Sequence, residues 1–299
     1  MRTVPLGRTG RAVSAVGMGA MPLSFFDARP SRRDAIAVVH AALDAGVTLF
    51  DTADSYCLHA GEMGHNERLL RDALASHPVG PTALVATKGG IARDGRRMRI
   101  DARPWHLRRA CESSLAALGV ETIELYQLHA PDTLVPFAES VGALGDLQRE
   151  GKIRRIGLSN VTPDHLREAR GVAEIASVQN RFNPWDRSAE RSGLLDACAR
   201  DGIAFLAHSP LGGADLVARL RQSPALAEAG RGNGASGTEL VLAWIAAKGA
   251  VPIPGASRAE SVRSTARAGD LRLGGDAVAE LERALDETCG QGRAAATAA

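Results

Sequence analysis

Three ionisable side chains of different kinds close three successive apolar runs: Asp51 ends Val47 to Asp51, Lys88 ends Leu84 to Lys88, and His129 ends Ile123 to His129. Tyr56 stands just beyond the first of them. A carboxylate and an ammonium at the ends of neighbouring strands can pair, each offsetting the other's loss of solvent. A phenol titrates ordinarily at ~10, so it gives up a proton near neutrality only beside a cation that stabilises phenolate, and Lys88 is the available cation. A downward shift of about two units corresponds to roughly 2.7 kcal/mol, which a partly buried ammonium within ~4 Å can supply. His129 is then placed to hydrogen-bond a substrate oxygen or to relay a proton. A strand-end lysine can also form a Schiff base, as in aldolases. Pairing with Asp51 speaks against that chemistry, because it keeps the amine protonated. Lysine is scarce in the chain, with only Lys88, Lys152 and Lys248 against 33 arginines, so a lysine ending an apolar run stands out.

These residues need elements that bring them to one place. Short runs rich in Val, Ile and Leu recur between stretches of helical period, each followed by Gly, Pro, Ser or Asn. The remaining runs are Ser14 to Gly19, Arg155 to Ser159, Ala176 to Asn180, Ile203 to Ser209 and Ala250 to Ile253, which makes eight in all. Helices are expected over Ser31 to Ala45, Pro104 to Leu118, Pro136 to Glu150 and Thr238 to Ala247. In the second of these, Leu107, Cys111, Leu115 and Leu118 share a face, a proline opens the first turn and Gly119 supplies the stop. Eight strand and helix pairs without a break in composition predict a single closed (β/α)8 barrel over residues 1–290, followed by a flexible tail, 291–299. In such a barrel reactive groups gather at the C-terminal ends of the strands. That adds Ser159 with Asn160, Gln179 with Asn180 and His208 with Ser209 to the candidate site. Val4 to Val13, with a Gly7 to Gly10 turn, reads as a hairpin closing the barrel bottom. Pro210 to Gly237 is too long for an ordinary loop and reads as a lid or clasp, with room for a short helix in its middle.

Composition narrows the partners. The 299 residues carry 36 basic and 34 acidic side chains, a net charge of +2 spread along the whole length. That gives no footprint for nucleic acid or an anionic membrane, and a small molecule is the expected ligand. Hydrophobic residues make up 45%, enough for a large core. No apolar stretch is long enough to span a bilayer, and Met1 to Thr9 lacks the apolar run of a secretory signal. Cys57, Cys111, Cys198 and Cys289 are far apart and form no metal or disulfide pattern, so a cytoplasmic protein is expected. Monomer or small homo-oligomer are both open.

Two patterns read as decoys. Gly232, Gly234 and Gly237 match a dinucleotide fingerprint but follow no expected strand, so they read as loop. His59, Glu62 and His65 lack the spacing of a helical metal pair and also read as loop, and no metal site is expected.

The segments Phe50-Asp51-Thr52-Ala53-Asp54-Ser55-Tyr56, Ala86-Thr87-Lys88, Leu125-Tyr126-Gln127-Leu128-His129 and Gly157-Leu158-Ser159-Asn160 together resemble the aldo-keto reductase superfamily. The resemblance continues through Ser177-Val178-Gln179-Asn180, His208-Ser209-Pro210-Leu211-Gly212 and Pro252-Ile253-Pro254-Gly255, nearly the whole chain. It implies an NADP(H)-dependent reductase of an aldehyde or ketone, with Tyr56 as general acid and Asp51, Lys88 and His129 completing a tetrad. It implies cofactor contacts at Met21 and Asp51, nicotinamide contacts at Ser159, Asn160 and Gln179, and a pyrophosphate loop at Ser209, Leu211 and Gly212. Gly255, Ala256, Ser257 and Arg258 match the adenosine end, where Arg258 is placed to pair with a 2′-phosphate. His208 stands where the family usually has a larger aromatic ring stacking on the nicotinamide, and Ser264 and Thr265 stand where many members carry Glu-Asn. The superfamily also contains cofactor-sensing subunits of membrane channels, which keeps a binding role beside catalysis as an alternative. Met21, Phe25, Phe26 and Trp185 are candidates for an apolar wall at the mouth.

Overall fold

The computed structural model describes residues 1–232 and 234–296, the last six of these as helical backbone only. Eight parallel strands alternate with helices: β1 (Met18–Gly19), β2 (Leu49–Asp51), β3 (Leu84–Gly89), β4 (Leu125–Leu128), β5 (Ile156–Ser159), β6 (Ile175–Arg181), β7 (Ala204–His208) and β8 (Ala250–Pro252). They pair in chain order, and the sheet closes on itself. Gly17 N donates to Pro252 O at 2.9 Å and Gly19 N to Pro254 O at 3.0 Å, joining the first strand to the last. The expected (β/α)8 barrel is therefore the observed one.

Eight helices follow the strands outside: α1 (Arg32–Asp44), α2 (His65–Ala75), α3 (Pro104–Leu118), α4 (Phe137–Arg149), α5 (Pro163–Arg170), α6 (Leu194–Asp201), α7 (Gly237–Ala247) and α8 (Ala259–Arg267). Side chains satisfy loose backbone groups at the starts of α1, α5 and α7, through Ser31, Thr162 and Ser236. Pro104 occupies the first turn of α3 and Gly119 ends it at φ +68°, a left-handed conformation open to glycine. Ser236 and Glu239 cap the start of α7 reciprocally.

Two-residue alternation sorts the strands' side chains into an inner and an outer set. Leu49, Leu84, Ala86, Leu125, Ala204, Leu206, Val251 and Ile253 fill the barrel, with Leu6 and Val13 of the N-terminal hairpin (Thr3–Pro5 and Ala12–Ser14) plugging its lower end. Phe50, Tyr126, Leu158, Val178 and Phe205 face the helices. The outer layer includes Trp244 of α7, fully buried with its ring 5.1 Å from that of Phe182. Each such large apolar side chain contributes about 1.5–3 kcal/mol on burial. Gly157 lets neighbouring strands fill the interior, since a Cβ there would sit 2.5 Å from Ser177 Oγ and 2.6 Å from Gln127 Cγ.

Four details differ from the sequence reading. The run Ser14 to Gly19 splits, because Ser14 exchanges hydrogen bonds with Thr48 and belongs to the bottom hairpin, leaving β1 two residues long. The segment expected as a lid holds two helices, Ala214–Gln222 and Pro224–Arg231, anchored on the body by buried Leu220 and Leu226 and by a Ser223–Thr288 hydroxyl contact of 2.6 Å. A hairpin at the mouth, Ile91–Asp94 with Arg97–Ile100, went unforeseen, although Asp94-Gly95 is a strong turn signal. The final helix is Gly275–Ala296; residues 297–299 of the expected tail lie outside the described residues, as does Asn233 in the glycine-rich decoy. Gly232 and Gly234 of that decoy follow a helix rather than a strand.

Candidate active site

The same alternation that puts Leu49, Ala86 and Leu125 inside puts Asp51, Lys88 and Gln127 on the inner face one step further along β2, β3 and β4. Ser159 and Gln179 stand opposite each other on β5 and β6, and His208 ends β7. The polar residues thus form the top layer of a barrel whose lower layers are apolar.

Lys88 is almost fully buried and uses all three of its donors. Its Nζ lies 2.7 Å from Asp51 Oδ2, 2.8 Å from the Thr52 carbonyl oxygen and 3.1 Å from Tyr56 Oη. Burial pulls the ammonium down, but attraction to Asp51 and to the Tyr56 oxygen outweighs it and holds Lys88 above its ordinary value. Asp51 is engaged on both oxygens, with Gln179 Nε2 at 2.6 Å and Gln127 Nε2 at 3.3 Å on Oδ1. The carboxylate is therefore an anchor for the lysine and has no free face for acid–base work.

Tyr56 departs from the expectation in one respect. Burial pushes its phenol up, and although Lys88 pulls it down, burial and Asp51 prevail and leave it above the ordinary tyrosine value. The reasoning from Lys88 alone omitted desolvation, which acts on phenolate as it does on any anion. Tyr56 is accordingly protonated at neutral pH, the form a proton donor requires.

His129 lies edge-on to Tyr56, ring centroids 5.8 Å apart. Burial, then Lys88 and His208, hold it well below the ordinary histidine value, so the ring is neutral. Its Nδ1 is buried without a hydrogen-bond partner. His208 is likewise neutral, lowered to about 4 by burial and by Lys88 and Arg181. Its Nε2 lies 3.2 Å from Asn160 Oδ1 and its Nδ1 3.1 Å from Ser209 Oγ.

Asn160 and Ser209 adopt left-handed backbone conformations, φ +59° and +49°, the only non-glycine residues among those described to do so. Asn160 Nδ2 donates to the His129 carbonyl at 2.9 Å, which ties the end of β5 to the end of β4. Such strain costs of order 1–3 kcal/mol and gathers at functional sites. Beyond Ser209, a turn closed by Gly212 N to Ser209 O at 2.9 Å carries Leu211 and leads into the helix Ala214–Gln222, which has no side-chain cap. Arg258 sits exposed at the start of α8, also without a side-chain cap, and Gly255, Ala256 and Ser257 lead up to it. Both helix starts therefore keep free N–H groups beside basic or glycine-rich backbone, the donor set that phosphate groups take. Met21 opens a short turn after β1, and Gly255 packs against that turn, where a Cβ would sit 2.8 Å from Pro22 Cγ.

The apolar wall is partly as expected. Phe25 lies edge-on to Tyr56 at 6.3 Å and to Phe26 at 5.3 Å, while Trp185 sits across on the turn after β6 under the Arg219 guanidinium. The decoy histidines separate: His65 Nδ1 contacts Ser24 Oγ at 2.8 Å, whereas His59 lies 3.9 Å from Glu62, whose carboxylate binds Arg29 at 2.8 and 2.9 Å. Gln127 and the Thr52 carbonyl were missed; Gln127 was findable, since it stands two residues before His129 on one strand face.

A profile of the aldo/keto reductase family matches residues 15–286. A "probable aldo-keto reductase 1" of Glycine max is 33% identical over 96% of this chain and 88% of its own length. Among solved structures, a glycerol dehydrogenase from Gluconobacter oxydans superposes with a TM-score of 0.83 at 26% identity, covering 97% of this chain and 95% of that one. An aldo/keto reductase from Klebsiella pneumoniae, in complex with NADP and acetate, superposes at 0.78 with 27% identity and 95% of each chain covered. With the barrel closed, the lysine, carboxylate and phenol joined at its rim and the match running from the first strand to the last helix, the chain belongs to the aldo/keto reductase family.

Proposed function

We propose that the protein is an NADP(H)-dependent carbonyl reductase in which Tyr56 protonates the oxygen of an aldehyde or ketone. The observation that carries this reading is the chain Asp51–Lys88–Tyr56, with its 2.7 and 3.1 Å contacts at the open end of the barrel. NADPH, when bound, supplies the hydride. The residues that would hold it are Ser159, Asn160, Gln179 and His208 at the nicotinamide, Ser209, Leu211 and Gly212 along the pyrophosphate, and Gly255 to Arg258 at the adenosine phosphate, with Met21 at the edge. Gln179 commits its Nε2 to Asp51, which leaves its carbonyl oxygen for an amide N–H. The Klebsiella relative in complex with NADP supports this choice of cofactor.

The protein's own groups divide the work. Asp51 keeps Lys88 charged. Lys88 donates to the Tyr56 oxygen, so that phenolate forms beside a cation as the proton leaves. His129, held neutral beside the phenol, offers the substrate oxygen a second hydrogen bond. Phe25 and Phe26 form an apolar wall that suits a small, uncharged carbonyl compound. Run backwards, the same path oxidises an alcohol. A Schiff base on Lys88 is disfavoured, because all three of its protons are engaged and no lone pair is available.

Tyr56→Phe tests the assignment. NADPH consumption with a panel of aldehydes, ketones and sugar-derived carbonyls should fall by about 100-fold or more, the range that one acid–base group contributes, while NADPH affinity stays within about twofold. Full activity in that variant defeats the reading; tight NADPH binding with no turnover of any carbonyl by the unaltered protein points instead to a cofactor-sensing role.

A further inference from the structure

We propose that Arg93, on the mouth hairpin, is a positioning residue that sets the distance between the Tyr56 phenol and Lys88. Lys88 is fixed by the barrel itself. Tyr56 is held less directly: its loop between β2 and α2 is tied to the barrel at Asp54, whose N–H donates to Lys88 O at 3.3 Å and whose carbonyl accepts from Gly64 N at 2.7 Å, while the backbone bonds next to the tyrosine are only local, Tyr56 N to Ala53 O at 3.3 Å and Cys57 N to Ser55 O at 2.9 Å. Arg93 supplies what the loop lacks. Its Nε and Nη2 donate to the Ser55 carbonyl at 3.2 and 2.9 Å, Nη2 also to Cys57 O at 2.6 Å, and Nη1 to Leu58 O at 3.4 Å. The carbonyls on both sides of Tyr56 are thus gripped by one planar fork. Nη1 also holds the hairpin's own turn through Arg96 O at 2.9 Å.

The same guanidinium acts on the ring. Its Cζ lies 5.1 Å from the centroid of Phe25, which is the ring packed edge-on against Tyr56. Backbone and side-chain face of the tyrosine are therefore held by a single group, half-buried and, among the described residues, without a carboxylate within ion-pair distance. A second tie, Ala60 N to Gly95 O at 2.8 Å, fixes the hairpin tip to the far end of the loop. The hairpin's two strands pair only with each other, and a lone two-stranded hairpin is marginal in water, so the clamp holds both parties. Lysine cannot replace this geometry: it presents a single ammonium where arginine presents donors spread over a rigid plane. A misplacement of about 1 Å at a reacting group costs on the order of 100-fold in rate.

This inference rests on Tyr56 being the proton donor, and a double-mutant cycle separates the two claims. Tyr56→Phe alone decides the donor. Arg93→Lys in the otherwise unaltered protein should lower kcat by about 10- to 100-fold, with NADPH Kd and substrate KM within about threefold, because only the phenol's position changes. The same substitution made on top of Tyr56→Phe should change the residual rate by less than about twofold, since the group it positions is gone. Equal losses in both backgrounds, a kcat within about twofold of the unaltered protein, or a loss confined to KM would each overturn the role. Arg93→Gln, which keeps part of the hydrogen-bonding fork, is the second variant, and failure of both to fold would make Arg93 a determinant of the fold instead.

Discussion

Replacing Lys88 by methionine separates the two things that its ammonium does. In the folded protein it neutralises a buried carboxylate at 2.7 Å and faces the phenol oxygen at 3.1 Å. For stability, removing one partner of a buried pair leaves the other charge uncompensated, at a cost of about 3–5 kcal/mol. For a chain of this size that is roughly 6–10 °C in Tm, taking about 2 °C per kcal/mol. For catalysis, full charges 3.1 Å apart interact by roughly 5 kcal/mol at an effective dielectric of about 20. With the proton about half transferred in the transition state, some 2–3 kcal/mol of that is lost, or about 30- to 150-fold in kcat/KM. The double variant Asp51→Asn with Lys88→Met removes both charges. Tm should return to within about 3 °C of the original, because a neutral pair no longer carries an uncompensated charge, while activity stays low, because no cation faces the phenol. Thermal melts and NADPH oxidation, run on the same three proteins, decide the matter. Recovery of activity together with stability, or a Lys88→Met enzyme within about threefold of the original kcat/KM, would show that Lys88 serves only the fold.

Two further outcomes follow from the site. Because His129 and His208 are held neutral, the latter down to about 4, and Tyr56 is held above its ordinary value, kcat/KM for reduction should stay flat from about pH 6 to about pH 9. A donor with a raised pKa loses activity only when pH climbs past that value, so the fall belongs on the alkaline side; a clear inflection near pH 6.5 contradicts the electrostatics described. Arg258→Ala should weaken NADPH binding by about tenfold while changing NADH binding less than about twofold, one charge-assisted contact to a phosphate; equal losses for both nucleotides, measured by fluorescence titration, would remove Arg258 from the phosphate.

The local chain carried much of this by itself. Short apolar runs ending in Asp51, Lys88 and His129, with helical stretches between them stopped at residues such as Gly119, determined the element order, and eight such units admit a closed barrel because each strand must bury both faces. Helix ends fell within a residue of the sequence reading for the same reason, since caps are short-range chemistry. What only tertiary structure decided is long-range. Whether Tyr56 lies above or below its ordinary pKa depends on the sum of desolvation and two opposing charges from different strands, and sequence shows the charges but not the solvent. The second oxygen of Asp51 finds Gln179 from across the barrel, which depends on strand register and not on spacing along the chain. Arg93 is one arginine among 33 until folding lays its guanidinium across three carbonyls of the tyrosine loop. A side chain's type is written locally, whereas its distance to a partner many residues away is fixed only when the sheet closes.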